Sequence, residues 1–432
     1  MIKNRQRRKS ITLKLIIIVI ISFFVFFIIQ NNKVSTPKKV AMTAAEILGN
    51  PNYLAISYGG YRETSRDVQP TIKELKEDMK ILFAMGIKII RTYNVQLDLP
   101  HASNILKAIT ELKKEDATFE MYVMLGAWID CLNAWTDKEP NHALESAQNA
   151  GEIDRAVALA KQYPTIVKVI AVGNEAMVKW AASYFVQPNV ILKWVNHLQG
   201  LKKEGVLSKD LWITSSDDFS SWGGGDPMYH TQDLEKLMNA VDYISMHTYA
   251  YHNSHYNPAF WKTPNHLKNL NEKEKINAAM LRTLNFAKNQ YKGVSNYMKS
   301  LGISKPIHIG ETGWATISNG HYGINGSRAT DEYKQGLYYK SLREWTNKEE
   351  ISCFYFEAFD EKWKDTSNIN GSENHFGLIN LKGEAKFPLW DLVDKGVFKG
   401  FTRNGKPITK TFNGDKQALM KTVLTPNTEY HK

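Results

Sequence analysis

The chain has 432 residues, 43% of them hydrophobic and 23% charged, with a net charge of +11 from 55 Lys+Arg against 44 Asp+Glu. That length and balance fit one large barrel or open-sheet domain, or two ordinary ones, and exclude a disordered, collagen-like or multi-span membrane protein. The charge is unevenly placed. Residues 1–40 hold nine basic side chains and no acidic one, and residues 396–432 carry a net +5; taking the nine and the five from +11 leaves −3 for residues 41–395. A basic groove for nucleic acid is therefore not supported.

Residues 1–10 are a short basic segment, and residues 11–29 are apolar apart from Thr12, Lys14 and Ser22. At a rise of about 1.5 Å per residue this run can roughly cross the hydrocarbon core, with Lys14 reaching back to the interface. No small-x-small cleavage pattern follows at Gln30 to Lys33, so the run reads as a retained transmembrane signal anchor rather than a cleaved signal peptide. Six basic residues precede the apolar core of the run and three follow it, which puts residues 1–10 in the cytoplasm and the rest in the periplasm or at the cell surface. Cleavage would instead make the protein secreted. Residues 30–40 form a polar linker, residues 41–395 the main domain, and residues 396–432 a basic C-terminal extension.

In the main domain, short β-branched or aromatic runs alternate with helical periodicity, the pattern of a parallel sheet with crossover helices. Strands are predicted at 53–58, 87–93, 119–126, 166–173, 211–215, 241–249, 306–310 and 351–356. Between the first two, Ile72, Leu75, Met79 and Leu82 recur at spacings of three and four, bounded by Pro70 and Gly86, which predicts a helix. A longer helix is predicted from Ile276 through Met298 to a stop at Gly302. Eight such units predict a (β/α)8 barrel of the TIM type. An open doubly wound sheet is the alternative, and no GxGxxG or P-loop supports it.

Cys131 and Cys353, the two cysteines, are too few for a disulfide framework or a thiolate zinc site. They fall near the top of strand three and the bottom of strand eight, about a strand length apart, so free buried thiols are expected. His252 and His255 form an HxxH without further ligands, and neither a metal site nor a cofactor is expected. Gly223-Gly224-Gly225 reads as a hinge or tight turn. The segments 130–149, 217–231 and 251–266 are expected to be long loops walling a cleft.

Barrel chemistry sits at the C-terminal strand ends. Strand two ends in Arg91-Thr92-Tyr93 and strand three runs into Trp128. Strand four ends in Gly173-Asn174-Glu175, strand six in His247-Thr248-Tyr249, and strand seven in Glu311-Thr312-Gly313-Trp314. Two carboxylates facing each other across a barrel mouth are what cleavage of a glycosidic bond requires: one protonates the departing oxygen, and the other attacks or activates water. Aromatic side chains beside them offer flat faces to sugar rings, although each aromatic taken alone is more often a core residue.

At these residues the chain resembles the family 17 glycoside hydrolases, β-1,3-glucanases and glucanosyltransferases, in their bacterial and fungal branch. The resemblance rests on Gly173-Asn174-Glu175, Glu311-Thr312-Gly313-Trp314 and the run Phe356-Glu357-Ala358-Phe359-Asp360-Glu361-Lys362-Trp363-Lys364, with Ile56-Ser57-Tyr58, Glu77-Asp78-Met79 and Ile90-Arg91-Thr92-Tyr93. It spans residues 53–390. It implies a retaining hydrolase of β-1,3-glucan, with Glu175 as acid/base and Glu311 as nucleophile. Asn174 would contact the sugar 2-hydroxyl, and Tyr93 and Tyr249 would line the sugar. Glu357 and Lys364 would brace the site, with Trp128, His247, Trp314 and Trp363 as further substrate contacts. Ala315 and Thr248 stand where the family commonly has proline, which bears on loop shape. Arg91 is either the group that keeps Glu311 ionised or half of an ordinary buried ion pair. A glucanosyltransferase would carry the same residues. A non-catalytic glycan-binding barrel would be expected to lack one of the two carboxylates, and both are present.

Overall fold

The computed structural model describes residues 41–96 and 100–427; the basic segment 1–10, the expected anchor 11–29 and the linker 30–40 lie outside them. Eight parallel strands close into a barrel in sequential order. They are β1 (Leu54–Ser57), β2 (Ile87–Arg91), β3 (Tyr122–Ala127), β4 (Val167–Asn174), β5 (Trp212–Asp218), β6 (Ile244–His247), β7 (Ile307–Gly313) and β8 (Cys353–Phe356). The (β/α)8 expectation is met, and each predicted strand is present. Two strands outrun their predicted ends by three residues: β5 continues through Ser216 to Asp218, and β7 through Glu311 to Gly313. Polar residues stay in the ladder there because each has a register partner: Asp218 stands opposite His247, His247 opposite Glu311, and Gly313 opposite Phe356.

The two-residue side-chain period of a strand divides the core. Ala55, Ile89, Met124, Val169, Ala171 and Phe354 form one buried cluster, and Ile47 and Leu48, just before β1, join it. Neighbours such as Ile56, Ile90, Val123, Leu125, Ile170 and Val172 belong to a second cluster shared with the helices. The helix after β1, α1 (Ile72–Ala84), starts at a capping box in which Thr71 and Glu74 satisfy each other's backbone N–H groups, and buries Leu75, Met79 and Leu82. A similar box, Asn271 with Glu274, starts the 29-residue helix Glu272–Ser300. Among the described residues no helix is long and apolar enough to cross a membrane.

Cys131 and Cys353 are free and buried, the first just after β3 and the second opening β8. Gly223 takes a positive φ of 76° in a tight turn closed by its N–H to Ser220. Residues beyond Lys395 return to the barrel: Thr409–Lys410 pair with Glu384–Ala385, and Arg403, 1% exposed, reaches Asp78 of α1 at 3.0 Å.

Candidate active site

Glu311 sits within β7, 7% exposed, directly after Gly310. A Cβ at position 310 would come within 2.1 Å of Ser245 Oγ and 2.4 Å of Ser216 Oγ, so only glycine lets β7 approach its neighbours at this level. Arg91 Nη1, from the end of β2, donates to Glu311 Oε2 at 2.6 Å and to the Gly310 carbonyl at 2.8 Å. Tyr249, two residues past β6, donates to Glu311 Oε1 at 2.6 Å. Both carboxylate oxygens of Glu311 are thus held.

Glu175 follows β4 at a sharp turn. Gly173 has φ +82° and Glu175 itself φ +47°, a region that side-chain-bearing residues seldom occupy and that tends to mark functional positions. Its N–H donates to the Ser216 carbonyl. His247 Nδ1 lies 3.0 Å from Glu175 Oε1, and its Nε2 lies 2.8 Å from Ser216 Oγ. Asn174 lines the cleft, and its Oδ1 accepts from Arg91 Nη2. Arg91 therefore ties the ends of β2, β4 and β7 together.

The two carboxyl groups are set in opposite states. Burial, then the charges of Glu311 and Asp218, push the Glu175 carboxyl well above the usual glutamate range. Burial works against Glu311 too, but His247, Arg91 and the Tyr249 hydrogen bond outweigh it and hold its carboxyl below the ordinary value. Burial also pushes His247 down to about 4, so at neutral pH the imidazole is uncharged. The charge that keeps Glu311 ionised there is the Arg91 guanidinium, with Lys364 adding to it. Glu175, His247 and Glu311 each offer one ligand atom, all within 4.8 Å of one another. Both nitrogens of His247 and both oxygens of Glu311 already have hydrogen-bond partners, an arrangement suited to handling protons rather than ligating an ion.

Glu311 opens onto a cleft of about 700 Å³ whose lining also includes Tyr93, Trp128, Asn174, Trp363 and Lys364, and an oxygen of Glu175 stands within 4.8 Å of a Glu311 oxygen. Lys364 is ion-paired with Glu357 at 2.8 Å, and Glu357 is held away from water. Three readings of the sequence are corrected. Trp314 does not reach the cleft: it is 0% exposed, donates to the Ala329 carbonyl, and packs against Tyr251, Trp261 and Tyr338. His247 is also fully buried and faces Glu175 rather than open space. Of the three expected wall segments, only 130–149 contributes to the lining, through Trp135. Asp217 and Asp218 complete β5, and Tyr251 turns into the core.

His252 Nδ1 lies 3.0 Å from the Tyr322 hydroxyl, and His255 stacks on His321. Sequence reasoning missed Tyr61, Arg66, His101 and Glu373, which also line the cleft. Tyr61 and Arg66 lie on the loop after β1, His101 opens the helix His101–Glu115 and Glu373 sits in the short helical turn Ser372–His375, none of them at a strand end. Glu361 was visible inside a quoted run but had no role; it accepts from the Tyr61 backbone N–H at 2.9 Å and from Trp363 Nε1 at 3.0 Å and so fixes the Tyr61 backbone and the Trp363 ring.

The family model for the BtgE/BtgC glycoside hydrolase domain matches residues 55–377, from β1 through the loops after β8. The chain belongs to this family. BtgE/BtgC relatives include a protein of Aspergillus niger assigned as glucan endo-1,3-beta-glucosidase btgC, 24% identical over 334 residues. That match covers 74% of this chain and 40% of the relative, so the chain spans about two fifths of the relative's length. An endo-laminarinase from Formosa Hel1_33_131 is 66% identical, with a TM-score of 0.89 over 90% of this chain and 99% of that one. A Rhizomucor miehei beta-1,3-glucanosyltransferase, solved as an active-site mutant with laminaritriose, is 19% identical with a TM-score of 0.53 over 78% of this chain and 96% of that one; it shares the fold. The glycoside hydrolase resemblance read from the strand ends is thus confirmed at the level of family.

Proposed function

We propose that the protein is a retaining endo-β-1,3-glucanase that works by double displacement. The observation that carries this reading is the pair of oppositely poised carboxyls, with oxygens of Glu175 and Glu311 within 4.8 Å of each other at the cleft. That spacing suits attack by one carboxylate on the sugar itself; an inverting enzyme leaves roughly 6.5–9.5 Å for an intervening water. Membership of the BtgE/BtgC family and the 66% identity to an endo-laminarinase support β-1,3-glucan as substrate.

In this reading Glu311, ionised beside Arg91 and Tyr249, attacks the anomeric carbon, while Glu175 gives its proton to the departing glycosidic oxygen. A covalent glycosyl-enzyme forms. Glu175, now a carboxylate next to His247, takes a proton from water, which displaces Glu311 and restores both groups. Burial serves the two steps because charges exchanged in a water-poor site interact strongly. Asn174, with its Oδ1 engaged by Arg91, presents its amide nitrogen to the sugar 2-hydroxyl, and Tyr93, Tyr249, Trp128 and Trp363 line the bound chain.

The basic and apolar residues 1–29 support an N-terminal membrane anchor with the barrel on the extracytoplasmic side, where a glucan would be met. Product analysis on linear β-1,3-glucan tests the activity. Shorter oligosaccharides with retained anomeric configuration are expected. Products longer than the substrate would reassign the enzyme as a transferase, and inversion or no cleavage would overturn the proposal.

A further inference from the structure

Trp135 is 62% exposed and adopts φ +60°, a left-handed conformation that a bulky side chain rarely takes. An exposed indole on strained backbone gains nothing for the fold by lying in water, so its position calls for another explanation. Three contacts hold it. Its Nε1 donates to Asp130 Oδ1 at 3.1 Å, its ring stacks on Tyr184 with centroids 5.0 Å apart at 22°, and the loop is closed beneath it by the short antiparallel pairing of Cys131–Leu132 with Asn141–Glu145.

The same Asp130 oxygen accepts from Trp128 Nε1 at 2.6 Å, and Trp128 also lies against Tyr184, at 5.4 Å. One carboxylate oxygen therefore fixes two indoles that both line the cleft. Asp130 is itself clamped: its N–H donates to Asn149 Oδ1 at 3.0 Å and its carbonyl accepts from Asn149 Nδ2 at 2.9 Å, Asn149 being buried in the helix Gln148–Gln162. Tyr184 sits on the loop that follows Glu175, and its carbonyl accepts from Cys131 N. With their N–H groups occupied by Asp130, the indoles have apolar faces left to offer.

We propose that Trp128 and Trp135, aligned by Asp130 and backed by Tyr184, form a two-ring platform that binds glucosyl units of the glucan chain remote from the bond being cleaved. Asp130 is the positioning residue and Trp135 sets the preference for longer chains. This rests on the glucanase reading above and names a part of that cleft which the paired carboxylates do not explain.

The test is calorimetric titration of a Glu175→Gln parent, which retains the cleft, with laminaritriose and laminarihexaose. Adding Trp135→Ala is expected to lower the hexaose-to-triose affinity ratio about tenfold, the scale of one lost ring contact. Trp135→Phe, which keeps a ring, should recover part of the ratio. Asp130→Ala should lower it as Trp135→Ala does, while Asp130→Asn, which keeps an acceptor oxygen, should not. Thermal melting of each variant confirms that the compared proteins are folded. An unchanged ratio in folded Trp135→Ala overturns the platform alone. A parent that binds neither oligosaccharide, when the unmutated protein also cleaves no β-1,3-glucan, overturns the platform and the glucanase reading together.

Discussion

Two buried arginine–carboxylate clusters lie in this barrel, and their contrast separates chemistry from fastening. In one, Arg91 meets Glu311 with side chains 1% and 9% exposed. In the other, Asp78 of α1, 0% exposed, takes Arg62 at 2.9 Å, Arg403 at 3.0 Å and the Tyr58 hydroxyl at 3.0 Å. Burial and pairing are much alike. The difference lies in what stands opposite. Asp78 is enclosed by cations and a phenol and joins the segment after β1 to the C-terminal residues. Glu311 has within 4.8 Å an oxygen of a second carboxyl, that of Glu175, driven towards the protonated form. A buried ion pair is thus weak evidence of function until a second titratable group with the opposite bias faces it.

The largest expected effect comes from the reacting half of the contrast. Glu311→Gln is expected to lower kcat on β-1,3-glucan by at least about 10⁴-fold, with the melting temperature nearly kept because the amide can still accept from Arg91. Steady-state rates and a thermal melt on the same preparation check both parts, and near-normal turnover would remove Glu311 from the chemistry.

Asp78→Ala should show the converse. It leaves two guanidinium groups without their buried counter-charge and is expected to cost about 3–5 kcal/mol of stability in chemical denaturation. The folded fraction should retain its specific activity. A collapse of activity at unchanged stability would mean that the two clusters are not separable in this way.

The smallest effect is a shift in pH dependence. Glu311 must be ionised and Glu175 protonated, so kcat/KM should be bell-shaped. Its acid limb should lie below the ordinary glutamate value of 4.5 and its alkaline limb well above it. Arg91→Met removes the permanent cation beside Glu311. The Glu311 carboxyl then rises, and the acid limb moves to higher pH. An acid limb that stays in place would assign the lowering to another neighbour.

Much of this was legible in the sequence. The strands were marked by β-branched runs and the start of α1 by its punctuation, because both follow from backbone sterics and local hydrogen bonding that act over a few residues. Glu175, Glu311 and Arg91 stood out because barrel geometry places reactive groups at strand ends. Trp314 was misread for the same reason: it too follows a strand end, but its side chain turns inward to Ala329, and direction is decided by packing partners far along the chain. The extension of β5 and β7 into polar residues was hidden because ladder pairing with neighbours, not local propensity, keeps them extended.

The amino-acid sequence alone determined that the chain builds an eight-fold strand and helix alternation, that its positive charge is concentrated at its ends, and that two glutamates stand at strand termini. Those properties depend on residue type and short-range spacing. Only the tertiary structure decided that Arg91 spans Asn174 and Glu311, that His247 serves Glu175 rather than open space, that Asp130 holds two indoles at once, and that the basic C-terminal stretch returns through Arg403 to Asp78. These contacts join residues up to 325 positions apart. Closing the barrel brings such groups within hydrogen-bond reach and removes the water that would otherwise leave two glutamates with similar acidity.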